Sequence, residues 1–162
     1  ISSFGLSQDL NVSKKEAQAY IDQYFATYPA VKEFIDSLVA TAKEKGYAGT
    51  MFGRRRYLPE LTSSNFNLRA FGERVARNMP IQGTSADIIK IAMIRVRNRL
   101  KAENMQAKLI LQVHDELIVE APENEADRTA RILEEEMENA VKLNVPLIAE
   151  AGKGKTWYEA KA

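Results

Sequence analysis

Apolar residues recur at helical spacing through the first part of the chain. Ser13 and Glu16 have the spacing of a capping box, in which each side chain satisfies a backbone N–H of the other, so the sequence predicts a helix directly after Ser13. Pro29 suits the first turn of a second helix, and Gly46 suits its C-terminal end. The apolar face of the first helix comprises Ala17, Tyr20, Ile21, Tyr24, Phe25 and Tyr28. We expect the aromatic residues of this face to pack in the core.

In the middle of the chain the spacing of the apolar residues changes twice, from helical to strand-like and back. Residues 47–59 have the shorter pattern of strands joined by a turn, interrupted by two glycines. A third helix is predicted at about 65–79, and Pro80 is expected to end or kink it, because proline lacks the backbone N–H that a helix interior needs. Thr84 and Asp87 have the spacing of an N-terminal cap and a first-turn acid, which predicts that a separate, longer helix opens there.

The last part of the chain contains two short apolar runs that alternate with period two. These runs, at 108–113 and 117–121, are separated by only three polar residues and predict a β-hairpin. An amphipathic helix is predicted at about 123–142, and a final strand at about 145–151. Helices grouped around hairpins favour an α+β fold with a small antiparallel sheet over a parallel, βαβ-wound fold. A weak boundary at 46–53 separates an all-helical first part from the sheet-bearing remainder.

Composition narrows the chemistry that the chain can support. Its 162 residues suit one domain or a part of a larger one, and the start at Ile1, without an initiator methionine, favours a fragment. The chain has no cysteine and one histidine, which excludes thiolate zinc sites and multi-histidine metal centres. Any metal must therefore be held by oxygen ligands, which favours hard ions such as Mg²⁺ or Mn²⁺.

The overall charge and hydropathy do not reveal a partner. The net charge is only +1, so an interaction with nucleic acid has to show in the distribution of basic residues. No apolar run approaches the roughly 20 residues that cross a bilayer, and no membrane partner is expected.

The predicted hairpin has an acidic tip. Asp115 and Glu116 lie side by side between two apolar strands, where a carboxylate is held rigidly. A two-metal phosphoryl-transfer site needs such rigidity, because two cations about 3.5–4 Å apart must clamp the attacking and leaving oxygens. The alternative is a solvated acidic turn, since aspartate is a common turn residue. His114 could likewise be a structural residue that packs or binds the backbone. A Ser–His–Asp hydrolase is disfavoured, because the sequence contains no Gly-x-Ser-x-Gly elbow.

Two groups of polar residues could contact nucleic acid. Arg54, Arg55 and Arg56 follow a glycine in a predicted turn, where clustered guanidinium groups can bind phosphates or form a solvated basic loop. The second group lies on a predicted helix and comprises Arg74, Arg77, Asn78 and Gln82. Such a face can donate hydrogen bonds to the minor-groove acceptors that every base pair presents, so it would sense pairing geometry without reading sequence. An exposed polar helix is the alternative.

Several segments of the chain resemble one known family. The string Gln-Val-His-Asp-Glu at 112–116 resembles motif C of the family A, polymerase I-like DNA polymerases. The segments 1–7, 52–59, 73–84 and 86–87 also resemble bacterial members, in the same order. The resemblance covers essentially the whole chain and combines several long motifs with consistent spacing.

The resemblance implies roles for the acidic tip. Asp115 would be one of two catalytic, metal-binding aspartates of the palm, Glu116 a neighbouring and less essential catalytic carboxylate, and His114 a support for the primer terminus. The implied reaction is attack of a primer 3′-OH on the α-phosphorus of a deoxynucleoside triphosphate, with Mg²⁺ stabilising the charge.

The resemblance also implies the partners of the basic residues. Arg74, Arg77, Asn78 and Gln82 would lie along the minor groove of the primer–template, and Arg54 to Arg56 near its backbone. Residues 1–46 would end the helical fingers, and residues 47–162 would form the C-terminal palm, whose β-hairpin with the catalytic aspartate packs on long helices. The enzyme would act in the bacterial cytoplasm.

Parts of the family pattern are missing from this chain. No segment matches the motif of the other catalytic aspartate or the fingers helix that binds the triphosphate, so the chain alone is expected to be inactive without the rest of the polymerase. Two alternatives remain open from the sequence. They are the palm fragment of a single-subunit RNA polymerase and a non-catalytic DNA-binding module.

Overall fold

The fold is α+β, as the sequence predicts, with helices accompanying two small antiparallel sheets. The computed structural model describes residues 2–161, so Ile1, the first residue of the family-like segment 1–7, and Ala162 lie outside the described residues. The helices are α1 (Ser3–Leu10), α2 (Lys14–Thr27), α3 (Pro29–Lys45), α4 (Phe66–Ala102), α5 (Ala126–Glu138) and α6 (Trp157–Ala160). The strands are β1 (Tyr47–Gly49), β2 (Arg55–Tyr57), β3 (Lys108–Val113) and β4 (Glu116–Glu120). Short 3₁₀ turns cover Pro59–Thr62 and Glu123–Glu125.

The first of two compact units contains residues 2–48 and 55–79. The capping box at Ser13 and Glu16 is confirmed, with each side chain bound to the backbone N–H of the other residue. Pro29 begins α3, and Gly46 ends it in the left-handed conformation at φ 75°. The core of this unit consists of Val39, Ala42, Ala48, Leu58, Leu61 and Ala76. Helix α1 was not predicted, although Ser2 caps it by accepting a hydrogen bond from the Gly5 N–H.

The expectation that the aromatic face of α2 packs in a core is wrong. Tyr20, Tyr24 and Tyr28 are each about half exposed, and Ala17 is the buried residue of this helix. The Tyr24 ring packs on Phe25 at 5.4 Å and on Tyr28 at 5.2 Å between ring centroids. The rings of Tyr24, Phe25 and Tyr28 therefore cover one another in part, which removes some of their area from water.

The helix end expected at Pro80 is also wrong, because α4 continues through it from Phe66 to Ala102. The alternative expectation, a kink at Pro80, stays a prediction. A proline inside a helix costs about 3 kcal/mol, since it removes one backbone hydrogen bond and crowds the preceding turn. Buried residues on both sides of it, Ala76 before and Ala92 and Val96 after, anchor the two parts of the helix by packing. Burial in the two cores outweighs the local cost, so no new N-terminus forms at Thr84.

The second compact unit contains residues 49–54 and 80–161. The predicted hairpin is confirmed as β3 and β4, which pair antiparallel with Val113 opposite Glu116. Its core consists of Val96, Leu100, Ala107 and Ile132, and the partly buried residues Leu117 and Val119 pack against it. One face of the hairpin thus rests on α4 and α5, as the α+β expectation required.

The C-terminal part of the prediction needs two corrections. Helix α5 ends at Glu138 rather than at residue 142. The guanidinium of Arg95 donates a hydrogen bond to the carbonyl oxygen of Asn139, the next residue, and so caps the helix. Residues 145–151 form no strand. A strand requires a backbone partner, and within the described residues the N–H groups of Ala149 and Ala151 bind the carboxylates of Glu138 and Glu134 instead.

Among the described residues, none of the helices has the length and apolar character required to cross a bilayer.

Candidate functional site

The acidic tip is a two-residue turn between paired strands. Val113 and Glu116 are opposite each other, so only His114 and Asp115 connect β3 to β4. His114 has a positive φ of 51°, a conformation that L-residues rarely adopt outside turns. The Gln112 side-chain amide donates a hydrogen bond of 2.7 Å to the His114 carbonyl oxygen and braces the turn. The hairpin ladder and this brace together fix the direction of the turn.

Asp115 is the available acid of this turn. It is exposed, and its carboxylate accepts no hydrogen bond and joins no ion pair from any residue that the structure describes. Rigid backbone and an unengaged carboxylate are the properties expected of a ligand for a hard cation. His114 is exposed beside it.

Glu116 is held by a different part of the chain. Its Oε1 lies 2.8 Å from the Lys161 Nζ, and its Oε2 accepts a hydrogen bond of 3.3 Å from the Trp157 indole N–H. The hydrogen bond from Lys161 and the positive charge of this lysine, with a smaller contribution from Trp157, lower the pKa of the Glu116 carboxyl below its ordinary value. Glu116 is therefore ionised at neutral pH and already partnered.

The residues present fit part of a metal centre. No group of three or more histidine, cysteine, aspartate or glutamate side chains in the described residues is arranged to hold an ion. Asp115 can supply one hard oxygen ligand.

A second cluster lies where residues 49–54 meet α4. The side chain of Asp87 is only 6% exposed, accepts a hydrogen bond of 2.7 Å from the Thr50 hydroxyl, and lies 2.7 Å from the Arg54 Nε. These bonds, that from Thr50 first, lower the pKa of the Asp87 carboxyl. The Thr50 hydroxyl also accepts from the N–H groups of Phe52 and Arg54. Arg54 is thereby fixed through Nε, and its side chain remains 56% exposed.

The two other arginines of the basic loop lie in β2. Arg55 and Arg56 are exposed, and adjacent strand residues point to opposite faces. The Arg55 guanidinium lies 4.8 Å from the centroid of the Tyr47 ring, a cation–π contact that orients it. The three arginines 54–56 are thus held in different ways.

The polar helix residues all lie on α4. Arg74, Asn78 and Gln82 are exposed and follow one another at intervals of four residues. The Arg74 guanidinium lies 5.8 Å from the centroid of the Phe71 ring. Arg77 differs from these residues, because its guanidinium lies 3.5 Å from the Glu73 carboxylate.

Sequence reasoning missed four residues of these two clusters. Asp87 was interpreted as a first-turn acid, and Thr50 carried no signal because its partner is distant in sequence. No element or role was predicted for Trp157 and Lys161, although their spacing of four residues would place them on one face of a short helix.

Comparison with known proteins identifies the family. The model of DNA polymerase family A matches residues 1–159. DNA polymerase I of Geobacillus stearothermophilus is 55% identical over 161 residues, which cover 99% of this chain and 18% of the relative. DNA polymerase I of Bacillus subtilis is 51% identical over the same length, with the same coverage of 99% and 18%.

A solved structure agrees with these relatives. The POL domain of Pol1 from M. smegmatis, in complex with DNA primer-template and dNTP, superposes with a TM-score of 0.94 at 43% identity and covers 99% of this chain and 28% of that one. The chain thus spans about a fifth of the length of the curated relatives, 18% in the first case. The family model matches residues 1–159, and the two polymerases I named above are 55% and 51% identical to the chain, which therefore belongs to DNA polymerase family A.

Proposed function

We propose that this chain is the end of the fingers, residues 1–46, and the C-terminal palm, residues 47–162, of a bacterial template-directed DNA polymerase of the cytoplasm. The relatives of known name are DNA polymerases I, and the similar solved structure is described as a complex with DNA primer-template and dNTP. The activity belongs to the complete protein, because the chain spans only 18% of the first relative. These names favour a DNA polymerase over a single-subunit RNA polymerase or a non-catalytic DNA-binding module.

The observation that carries the proposal is the carboxylate of Asp115. It is exposed and unpartnered among the described residues, at the apex of a turn that the hairpin ladder fixes. Asp115 serves as a ligand of a divalent metal ion, with Mg²⁺ the expected ion. When bound, the ion supplies charge stabilisation for attack of the primer 3′-OH on the α-phosphorus of a deoxynucleoside triphosphate.

The chain's other residues position the nucleic acid. His114 supports the primer terminus beside Asp115, and Glu116 is an auxiliary carboxylate. Arg74, Asn78 and Gln82 donate hydrogen bonds to minor-groove acceptors, which are common to all base pairs. Their exposure on α4 supports this role, since they retain unused donors.

The arginines 54–56 contact the phosphate backbone of the nucleic acid. Arg54 keeps its terminal guanidinium nitrogens available while Asp87 holds its Nε, and Arg55 and Arg56 are exposed. Phosphate contacts from such groups set register and orientation without reading sequence. Arg77, paired with Glu73, contributes positive charge beside the helix face.

Asp115→Asn in the complete polymerase tests the assignment. The substitution keeps the size of the side chain and removes its charge, so primer extension should fall on the order of 10³-fold, which corresponds to several kcal/mol of charge stabilisation. Binding of primer–template, measured by fluorescence anisotropy, should change little.

The matched control is Asp9→Asn, which removes an exposed aspartate at the end of α1 that forms no ion pair among the described residues. Extension by this variant should equal that of the wild type. Unchanged extension by Asp115→Asn would show that Asp115 is not a metal ligand.

A further inference from the structure

The last residues of the chain fold back on the acidic tip of the β-hairpin. Helix α6 is only one turn long, and its two ends are specified locally. Thr156 accepts a hydrogen bond of 3.3 Å from the Glu159 N–H, and the Glu159 carboxylate accepts one of 2.8 Å from the Lys155 N–H. These two hydrogen bonds hold the start of α6 against the residue that precedes its cap.

Two glycines allow the preceding segment to lie flush against α6. A Cβ atom at Gly154 would lie 2.6 Å from the Ala160 backbone nitrogen, which is closer than real Cβ atoms approach. A Cβ atom at Gly152 would collide with the Ala160 carbonyl oxygen. Lys153, between the glycines, forms an ion pair with Asp127 of α5. The tail is therefore anchored to the body of its unit before it reaches the hairpin.

The anchored tail presents two donors to one carboxylate. Trp157 and Lys161 are four residues apart, and the Lys161 Nζ lies 5.6 Å from the centroid of the Trp157 ring. Each donor engages a different oxygen of Glu116, the lysine at 2.8 Å and the indole at 3.3 Å. The neighbouring Asp115 receives neither donor.

We infer that Lys161 and Trp157 are positioning residues, which hold Glu116 aside so that Asp115 alone offers a carboxylate to the metal at this turn. The inference rests on the proposed function. Without these partners, the carboxylates of Asp115 and Glu116 would compete for one cation, since both are oxygen ligands that a hard ion accepts. A cation bound by both would lie closer to Glu116 than one bound by Asp115 alone. Hydrogen-bond partners outside the first ligands of a metal site commonly set the position of the groups around the ion, and their loss lowers activity.

The test is Lys161→Met in the complete polymerase, which keeps the length of the side chain and removes its charge. The kcat of primer extension at saturating Mg²⁺ and nucleotide should fall ~10-fold, the lower range for loss of such a partner. Lys161→Arg should retain kcat near that of the wild type, because it preserves a cationic donor.

Two further variants separate positioning from simple support of the tail. Lys153→Met removes an anchor of the tail that does not contact Glu116, and its kcat should match that of the wild type. In a Glu116→Gln background the competing charge is absent, so Lys161→Met should cause no additional loss. Thermal unfolding should be similar for all of these variants, since the Lys161–Glu116 pair is largely exposed.

The inference is overturned by a wild-type kcat for Lys161→Met, by an equal loss in Lys153→Met, or by the same loss in the Glu116→Gln background. Failure of the inference remains distinct from failure of the proposed function. If Asp115→Asn abolishes extension while Lys161→Met has no effect, the assignment of Asp115 as a metal ligand is retained, and only the positioning role of Lys161 and Trp157 is rejected. If Asp115→Asn has no effect, the proposed function itself is wrong.

Discussion

Asp87 is a buried carboxylate that depends on two polar partners. Its side chain is 6% exposed, and the Thr50 hydroxyl and the Arg54 Nε bind its two oxygens. Burying a charge is costly unless it is paired and hydrogen-bonded, so each partner offsets part of that cost. The same contacts hold residues 50–54 in a tight turn, in which Gly53 adopts a positive φ of 82°.

Thr50→Val should destabilise the protein at nearly unchanged side-chain volume, because it leaves the Asp87 carboxylate with one donor fewer and the Phe52 and Arg54 N–H groups without this acceptor. We expect the free energy of unfolding to fall by about 2 kcal/mol, measured by urea denaturation. Thr41→Val is the matched control, since Thr41 is exposed in α3 and its hydroxyl forms no hydrogen bond with the described residues. A comparable loss in the control would contradict a specific role for the Thr50–Asp87 bond.

At the scale of elements, charged side chains link α4 to the start of α5. The Glu103 carboxylate lies 2.6 Å from the nearest guanidinium nitrogen of Arg128 and 2.5 Å from that of Arg99. The hydrogen bonds from Arg128 and then Arg99 lower the pKa of Glu103 to about 2 from an ordinary value of 4.5. The pKa in the folded state is thus lower than in the unfolded chain.

This difference predicts how stability depends on pH. A carboxyl whose pKa is lowered by folding stabilises the protein above its unfolded pKa, and this contribution is lost as the pH falls from 4.5 toward 2. The urea-unfolding midpoint of the wild type should therefore be higher than that of Glu103→Gln at neutral pH. The difference between the two midpoints should disappear as the pH falls from 4.5 toward 2. Glu44→Gln, at an exposed position with no ion pair among the described residues, should show no such gap. A gap that persists at pH 2 would contradict the pairing.

The elements that sequence could predict are those specified within a few residues. The capping box at Ser13, the end of α3 at Gly46 and the turn at Asp115 all depend on neighbours in the chain. The continuity of α4 through Pro80 depends instead on burial in two cores, and residues 145–151 lack a pairing strand among the described residues. Local pattern carries no information about either condition.

The same distinction applies to the candidate site. Asp115 could be proposed as a candidate because a carboxylate between two apolar strands is a local sequence pattern. The partners of Glu116 are 41 and 45 residues away in the sequence, and those of Asp87 are 37 and 33 residues away. Contacts over such separations are decided by the tertiary fold, so only the structure reveals them.

At the scale of the whole molecule, the proposed activity belongs to the complete polymerase, because the chain spans only 18% of the first relative. The chain's described residues provide no cluster of three potential metal ligands, and at the hairpin tip Asp115 is the acid without a partner among them. We therefore expect the 162-residue chain, produced alone, to incorporate no nucleotide above background in a primer-extension assay. The complete polymerase, assayed in parallel at equal concentration, is the control. Incorporation by the isolated chain that Asp115→Asn abolishes would show that the ligands present here suffice.

The segment 145–151, which forms no strand, has a consequence for how the molecule meets other chains. Unpaired N–H groups along an extended backbone attract foreign strands and seed aggregation. Here Glu134 and Glu138 of α5 occupy the amides of Ala151 and Ala149, and they bring negative charge to that margin. Helix α5 thus protects these two N–H groups from pairing with a strand of another chain. Such a strand would first have to displace the carboxylates of Glu134 and Glu138.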